Sequence, residues 1–303
     1  MKIIVWIILG LIWGTTWLFI KVGLDEIPPF TFAMIRFIVA IAIVGFILSL
    51  SRIELPRKGS EIRLLAITGV LQFSVNYSLV FWSELHITSG LAAVLQATIP
   101  VFGLALAAVY LPEEKITKLK ITALVLGVAG VAVIFYEQLT IQSLMAFGGS
   151  VAIVVGAFAA AHASILTKAR GGSMHPAVLL FGQMFFGVGP VVIIALVYEG
   201  NPLGLSLSWV GVSSILYLSV FGTVVSFWLY YWLLSRIEST KAMTIALVTP
   251  FVAVVCGNVF LGEEFRLQTL AGGFLILASV GLIVFRRRLV NTAVFETATE
   301  KSE

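Results

Sequence analysis

Residues 109–115 read VYLPEEK, and residues 259–265 read VFLGEEF. In both places a long apolar run stops on two adjacent glutamates, and the stops lie 150 residues apart. Laying 81–135 on 231–285 without a gap pairs Trp82 with Trp232, Ile87 with Ile237, Ser89 with Ser239, Ala92 with Ala242 and Pro100 with Pro250. Earlier in the chain an offset of 147 sets Lys21 on Lys168 and Pro29 on Pro176. Self-similarity at a fixed offset marks a repeat architecture. The chain reads as two copies of one unit, residues 1–138 and 142–288, followed by a tail, 289–303.

Composition says what the unit is. Of 303 residues, 60% are hydrophobic and 11% charged, where a soluble domain carries roughly 25% charged residues. The charges cluster and leave long runs without any: Ile3–Ile20, Leu64–Ser83, Ile87–Pro112, Ala242–Gly262 and Leu267–Phe285. Each is near or above the ~18 residues that suggest a membrane-crossing helix. With the shorter runs, the pattern predicts ten helices, at 3–21, 29–51, 63–83, 88–111, 119–136, 142–167, 175–198, 209–235, 239–261 and 267–286. The first run has no small-x-small cleavage site before Lys21 and reads as a retained helix. The expected fold is an all-α integral membrane protein of ten transmembrane helices.

Cytoplasmic loops carry an excess of Lys and Arg. With the N-terminus inside, 16 of the 19 basic residues fall in inner segments, Lys21 and Arg266 fall outside, and Arg36 lies within a helix. Both termini are therefore expected in the cytoplasm, with the chain in the cytoplasmic membrane. The net charge of +4 follows from this distribution and is no signal of nucleic acid. Five helices per copy is an odd number, so the second copy enters from the opposite side. Inverted repeats are a construction principle of secondary transporters, with the substrate site near the midplane. The lipid bilayer and a small-molecule substrate are the expected partners, and a monomer the expected working unit.

Polar side chains in mid-membrane are costly and usually face the protein interior. Gln72 and Asn76 are one turn apart, and Thr223, Ser226 and Tyr230 recur at helical spacing; Ser226 is the repeat mate of Asn76. Trp13, Thr15, Trp17, Gln96 and His162 complete the expected cavity, His162 being the mate of Thr15. Gly10 and Gly14, with their mates Ala157 and Ala161, have the small-xxx-small spacing of close helix contacts. They predict the helix at 3–21 packed on the helix at 142–167. Pro100 and Pro250 each remove the donor to the carbonyl four residues back, Gln96 and Ala246, which reads either as a packing kink or as a gating hinge. Arg36 is expected to snorkel outward or bond carbonyls at a helix end, with a substrate-carboxylate clamp or a gate as the alternatives. Each of the other positions also has a plain structural reading as interior packing or closed interhelical hydrogen bonds.

No His-Glu-x-x-His, glycine-rich phosphate loop or Cys/His cluster is present, and the single Cys256 makes no intramolecular disulfide. No cofactor, no metal and no enzyme activity are expected. An integral-membrane enzyme, or a channel or sensor component, is the alternative to a transporter.

Trp13-Gly14, Arg36-Phe37 and Leu261-Gly262-Glu263, in this order and with the doubled unit, resemble the EamA-type ten-helix transporters of the drug/metabolite transporter superfamily. The resemblance covers about 3–288. The chain departs from it at Leu111-Pro112-Glu113, where the first copy lacks Leu-Gly-Glu, and at Gln183-Met184, the mates of Arg36-Phe37. The resemblance implies transport of small metabolites, often amino acids or toxic compounds.

The charge asymmetry makes a direct prediction. A reporter active only outside the cytoplasm works when fused at residue 138 and fails at residue 303. The reverse at both sites overturns the orientation, and a mixed result overturns the helix count.

Overall fold

Lipid offers the backbone no hydrogen-bond partner, so a chain this apolar has to satisfy its amides within helices. A computed structural model describes residues 2–51, 53–113, 117–119, 121–123, 125–127, 129–130, 133, 143–172, 174–262, 267, 270–279 and 281–282. Among them no strand occurs. Seven helices are long and apolar enough to cross a membrane: α1 (Lys2–Gly23), α2 (Pro29–Leu50), α3 (Gly59–Ser83), α4 (Ser89–Tyr110), α5 (Leu144–Arg170), α6 (Pro176–Tyr198) and α7 (Trp209–Leu234). Then come α8, residues 239–261 in three joined pieces, and the short apolar α9 (Leu270–Ser279). Residues 120, 124, 128, 131, 132 and 134–136 of the helix expected at 119–136 lie outside the described residues, as do Glu114, Glu263, Glu264 and the tail 289–303.

Helix ends follow local chemistry. Pro29 and Pro176 open α2 and α6, where the missing N–H costs nothing. Thr88, Ser143 and Ser208 side chains accept from the first turns of α4, α5 and α7. Gly200 and Gly262 follow α6 and α8 at φ 84° and 64°, a conformation glycine adopts without steric cost. Two acids cap helices of the other copy. Glu199 accepts from Phe30 N at 2.9 Å and Thr31 N at 2.6 Å. Glu26 accepts from Ser208 N at 3.0 Å and Ser208 Oγ at 2.5 Å, and these bonds hold its carboxyl below the usual carboxylate range.

Two lysines fix the running directions. Lys168 Nζ, near the end of α5, donates to Leu234 O at 2.7 Å and Ile237 O at 3.0 Å. Lys2 Nζ, at the start of α1, donates to Arg236 O at 3.2 Å. The start of α1 and the end of α5 therefore share one end of the bundle, and these repeat-related helices run in opposite directions. At the other end Lys21 Nζ donates to Glu84 O, and to Ile87 O at 3.1 Å. Residues 84 and 87 are the 150-offset mates of 234 and 237. Each copy carries the same clamp.

The expected seam between the helices at 3–21 and 142–167 does not form. α1 lies along the last piece of α8, and α5 along α4 and α3. A Cβ on Gly14 would sit 2.4 Å from Val252 Cβ, so the glycine serves contact with α8. Gly10, Ala157 and Ala161 are buried. The exterior is apolar, with Ile4, Leu11, Phe46, Phe185, Val197 and Leu216 exposed, while Gln72, Asn76, Gln183 and Thr223 are buried. Continuous apolar surface around a polar interior is the arrangement lipid demands. The protein is a multi-pass membrane protein.

The closest approach is between α3 and α6. A Cβ on Gly187 would lie 2.5 Å from Gly69 O and 2.7 Å from Phe73 Cβ, and backbone cannot step aside cheaply. Gly148, on α5, would bring a Cβ no nearer than 3.6 Å to Trp82. Gly187→Ala is expected to destabilise by about 1–3 kcal/mol, read as a lower unfolding temperature in detergent. Gly148→Ala should leave that temperature unchanged or raise it, because alanine favours the helix.

Candidate functional site

α1, α3, α4, α5, α7 and α8 surround a central cavity of about 100 Å³. α2 and α6 contribute no lining residue and pack behind, on each other and on α3 and α7. Six repeat-related pairs supply 12 of the 18 lining residues. Trp13 and Ala160, and Trp17 and Ser164, stand 147 apart. Tyr77 and Phe227, Val80 and Tyr230, Gln96 and Ala246, and Ile99 and Thr249 stand 150 apart. Equivalent faces of the two copies therefore meet across one space, as they would around a pseudo-two-fold axis.

Two backbone irregularities shape this wall, and both are doubled. In α3 residues Val70–Asn76, and in α7 residues Val220–Val225, widen to π-helical turns. Such turns occur frequently at functional sites. α4 breaks into Ser89–Gln96 and Ile99–Tyr110, and α8 passes through a tighter 3₁₀ stretch, Thr244–Leu247. The breaks stand just ahead of Pro100 and Pro250, and Gln96 and Ala246, whose carbonyls those prolines cannot serve, both line the cavity.

The lining is aromatic with neutral polar groups. Trp13 meets Phe227 and Tyr230 edge-on or tilted at 5.4 and 5.3 Å. Its Nε1 donates to Ser226 Oγ at 3.0 Å, which passes a bond on to Gly222 O at 2.8 Å. Tyr230 OH donates to Ser164 Oγ at 3.1 Å. Gln96 Nε2 donates to Asn76 Oδ1 at 2.9 Å, and Gln96 Oε1 is buried without a partner. No charged side chain lines the cavity. No group of three His, Cys, Asp or Glu suited to a metal occurs among the described residues.

Of the residues expected at the cavity, Trp13, Trp17, Gln72, Asn76, Gln96 and Tyr230 line it. Thr15, His162, Thr223 and Ser226 do not. Helix geometry explains the first two. Trp13 and Trp17 are one turn apart on α1, as are Ala160 and Ser164 on α5, and the residue midway between each pair points away. Thr15 instead bonds Tyr217 OH at 2.6 Å, and His162 Nε2 meets Tyr110 OH at 3.2 Å. Thr223 sits in the wide turn of α7, bonded to Arg36 Nε at 2.8 Å, and Ser226 lies one step behind Trp13. Arg36 is corrected as well. It does not snorkel; it is 1% exposed, and its Nη2 donates to Gly222 O at 3.0 Å in the middle of α7. Sequence reading missed Thr16, Ile20, Tyr77, Ser164, Phe227 and Thr249. The i, i+3, i+4, i+7 series 13, 16, 17, 20 on α1 was a signal available for two of them.

Reactivity separates the two groups. In a Cys256→Ala background, cysteines at Asn76 and Gln96 are expected to react with water-soluble thiol reagents at rates at least about tenfold above cysteines at Thr15 and Ser226, whose positions face other helices. Equal rates at all four positions would place the water-filled space elsewhere.

Comparison with known proteins agrees with this architecture. The EamA-like transporter family model matches residues 1–136 and 147–285. An uncharacterized transporter of Archaeoglobus fulgidus is 29% identical, covering 93% of this chain and 99% of its own length. The uncharacterized inner membrane transporter YedA of Escherichia coli is 28% identical over 97% of this chain and 95% of its own. A probable amino-acid metabolite efflux pump of Salmonella typhimurium is 27% identical over 93% of this chain and 94% of its own. A crystal structure at 16% identity matches with a TM-score of 0.68 over 95% of this chain and 98% of that one, a likeness of fold alone. With both copies matched in sequence, the chain belongs to the EamA-like transporter family.

Proposed function

We propose that this protein is a secondary transporter that carries small metabolites, amino acids or related compounds, out of the cell across the cytoplasmic membrane by alternating access. The observation that carries the reading is the central cavity built from repeat-related pairs. In an inverted repeat, such a site faces either side of the membrane when the two copies exchange conformations. Ten helices, five in each copy (1–138 and 142–288), with both termini cytoplasmic, complete the proposed topology. The Salmonella relative named as a probable amino-acid metabolite efflux pump supports the substrate class and the direction. The cavity's aromatic walls and neutral amides suit a compact solute carrying an apolar side chain.

The proposed transporter is uncoupled from protons and works as a monomer. Proton carriers inside membranes are Asp, Glu or His facing the transport path. The cavity lining contains none of these, and His162 faces Tyr110 and Phe158 instead. Purified protein in proteoliposomes is expected to give saturable, downhill flux of a neutral amino acid chosen from a labelled panel. A pH gradient alone should not concentrate that solute, and His162→Gln should keep at least about half of the downhill flux, since the residue lies off the path. Proton-driven uphill accumulation that disappears in His162→Gln overturns the uncoupled reading, and absence of saturable flux across the whole panel overturns transport.

A further inference from the structure

We infer that Arg36 makes the central cavity electropositive, so that it selects solutes bearing a carboxylate or another anionic group; the inference rests on this cavity being the transport site. Arg36 stands on α2, behind the wall and not in it. Its guanidinium carbon lies 4.7 Å from the ring centroid of Tyr77, and Tyr77 lines the cavity. A second, shorter path runs through Gly222. A Cβ on that glycine would sit 3.2 Å from Arg36 Nη2 and 3.0 Å from Thr16 Cγ2, and Thr16 also lines the cavity. Only a glycine therefore separates the cation from the lining.

The charge is not neutralised where it sits. Arg36 stays protonated under all ordinary conditions. Its polar partners are Thr223 Oγ1, Gly222 O and the Tyr77 side chain, and its aromatic neighbours are Phe37, Tyr77 and Phe81. All are uncharged. No carboxylate lies within ion-pair distance of it among the described residues. Nη1 is buried and has no hydrogen-bond partner. A charge buried without a counter-ion is expensive, and within a membrane it marks a functional position.

The second copy serves as an internal control. Gln183 occupies the equivalent place on α6. Its Nε2 donates to Thr167 Oγ1 at 3.0 Å, and its Oε1 accepts from Tyr231 OH. Tyr231 is the mate of Phe81, so the neutral amide comes with a hydroxyl to pair it. A neutral hydrogen-bonding side chain thus meets the structural need at this place in the fold. The positive charge of Arg36 exceeds that need, and its field falls on the cavity through low-dielectric protein, where charges act at longer range than in water.

The test reads the cavity's potential without knowing the solute. A cysteine at Thr16 in a Cys256→Ala background is modified, in the full-length protein, by two methanethiosulfonates of matched length, one bearing a sulfonate and one a trimethylammonium. Each rate is divided by that reagent's rate with free 2-mercaptoethanol. The sulfonate reagent is expected to be favoured by at least roughly tenfold. Arg36→Gln should lower that ratio by roughly tenfold or more, and Arg36→Lys, which keeps the charge but not the fork of donors, should retain it. A ratio near one in the protein with Arg36 intact overturns the inference even if Arg36→Gln fails to fold. So does a ratio that falls equally in Arg36→Gln and Arg36→Lys, because hydrogen bonding alone would then be at work. A Thr16 cysteine that neither reagent modifies overturns the open cavity and the inference with it; labelling without charge preference overturns the inference alone.

Discussion

Backbone polar groups in the span of this protein have to find their partners inside the protein, because lipid supplies none. The clamps of Lys21 and Lys168 are the plainest consequence. The last carbonyls of a helix have no partner within it, and α3 and α7 both end in a turn before the next helix starts. One ammonium group answers two carbonyls at the helix end and the turn after it, Glu84 and Ile87 in the first copy, Leu234 and Ile237 in the second. Hydrogen bonds to a charged donor are worth about 1.5–3 kcal/mol each. The cation also complements the negative end of the helix dipole. Each clamp ties the end of a copy's first helix to the end of its third, and so sets the spacing of the elements that line the cavity.

With those ends held, irregular backbone is tolerated at mid-span. The π-helical turns of α3 and α7 and the breaks of α4 and α8 all leave the regular i→i+4 ladder, and all four lie against the cavity or one layer from it. Side chains repair part of the loss. Thr223 Oγ1 donates to Leu218 O at 2.8 Å, Ser226 serves Gly222 O, and Ser74 donates to Gly187 O across to α6. The few hydroxyls of the wide turns, Ser74 and Thr223, with Ser226 just beyond, make that repair. Non-helical backbone at membrane depth is stable only where protein or water-lined space surrounds it, which is why the four irregularities gather around the one central space.

Much of this was legible in the sequence. The helices stand close to where apolar runs placed them, and the 147 offset set Lys21 on Lys168, whereas of the mates singled out for the cavity, Thr15 with His162 and Asn76 with Ser226, only Asn76 lines it. Three things were not legible. Small-xxx-small spacing reports close packing but not the partner, so Gly14 was paired with the helix carrying Ala161 when it meets Val252. Thr15 and His162 were drawn to the cavity by their polarity, although one turn of helix counting from Trp13 or Ala160 turns both away. The wide turn in α7 shifts helical phase by about one residue, and no residue in VFGTVV announces that shift. Thr223 was misplaced for that reason; Ser226, on the same regular stretch as Tyr230, instead accepts from the Trp13 indole.

Arg36 was the hardest residue to read, because its meaning lies in a comparison between the copies. Polarity and depth alone allow an outward reach, a carbonyl bond or a bound anion. The outward reach fails on burial, since neighbours enclose the whole side chain. The carbonyl bond is present, at Gly222, yet Gln183 and Tyr231 show how the same place is filled when a neutral bond suffices. Two copies of one unit began with the same constraints on backbone, clamps and helix starts, and kept them. They differ in the lining itself, as at Trp13 and Ala160 or Gln96 and Ala246, and also one layer behind it, where Arg36 stands against Gln183. A charge placed there acts on whatever occupies the centre without narrowing it, whereas a lysine or arginine in the wall itself would take up part of the cavity. Placing the cation one layer back keeps the cavity open to a solute and leaves its sign set by the protein.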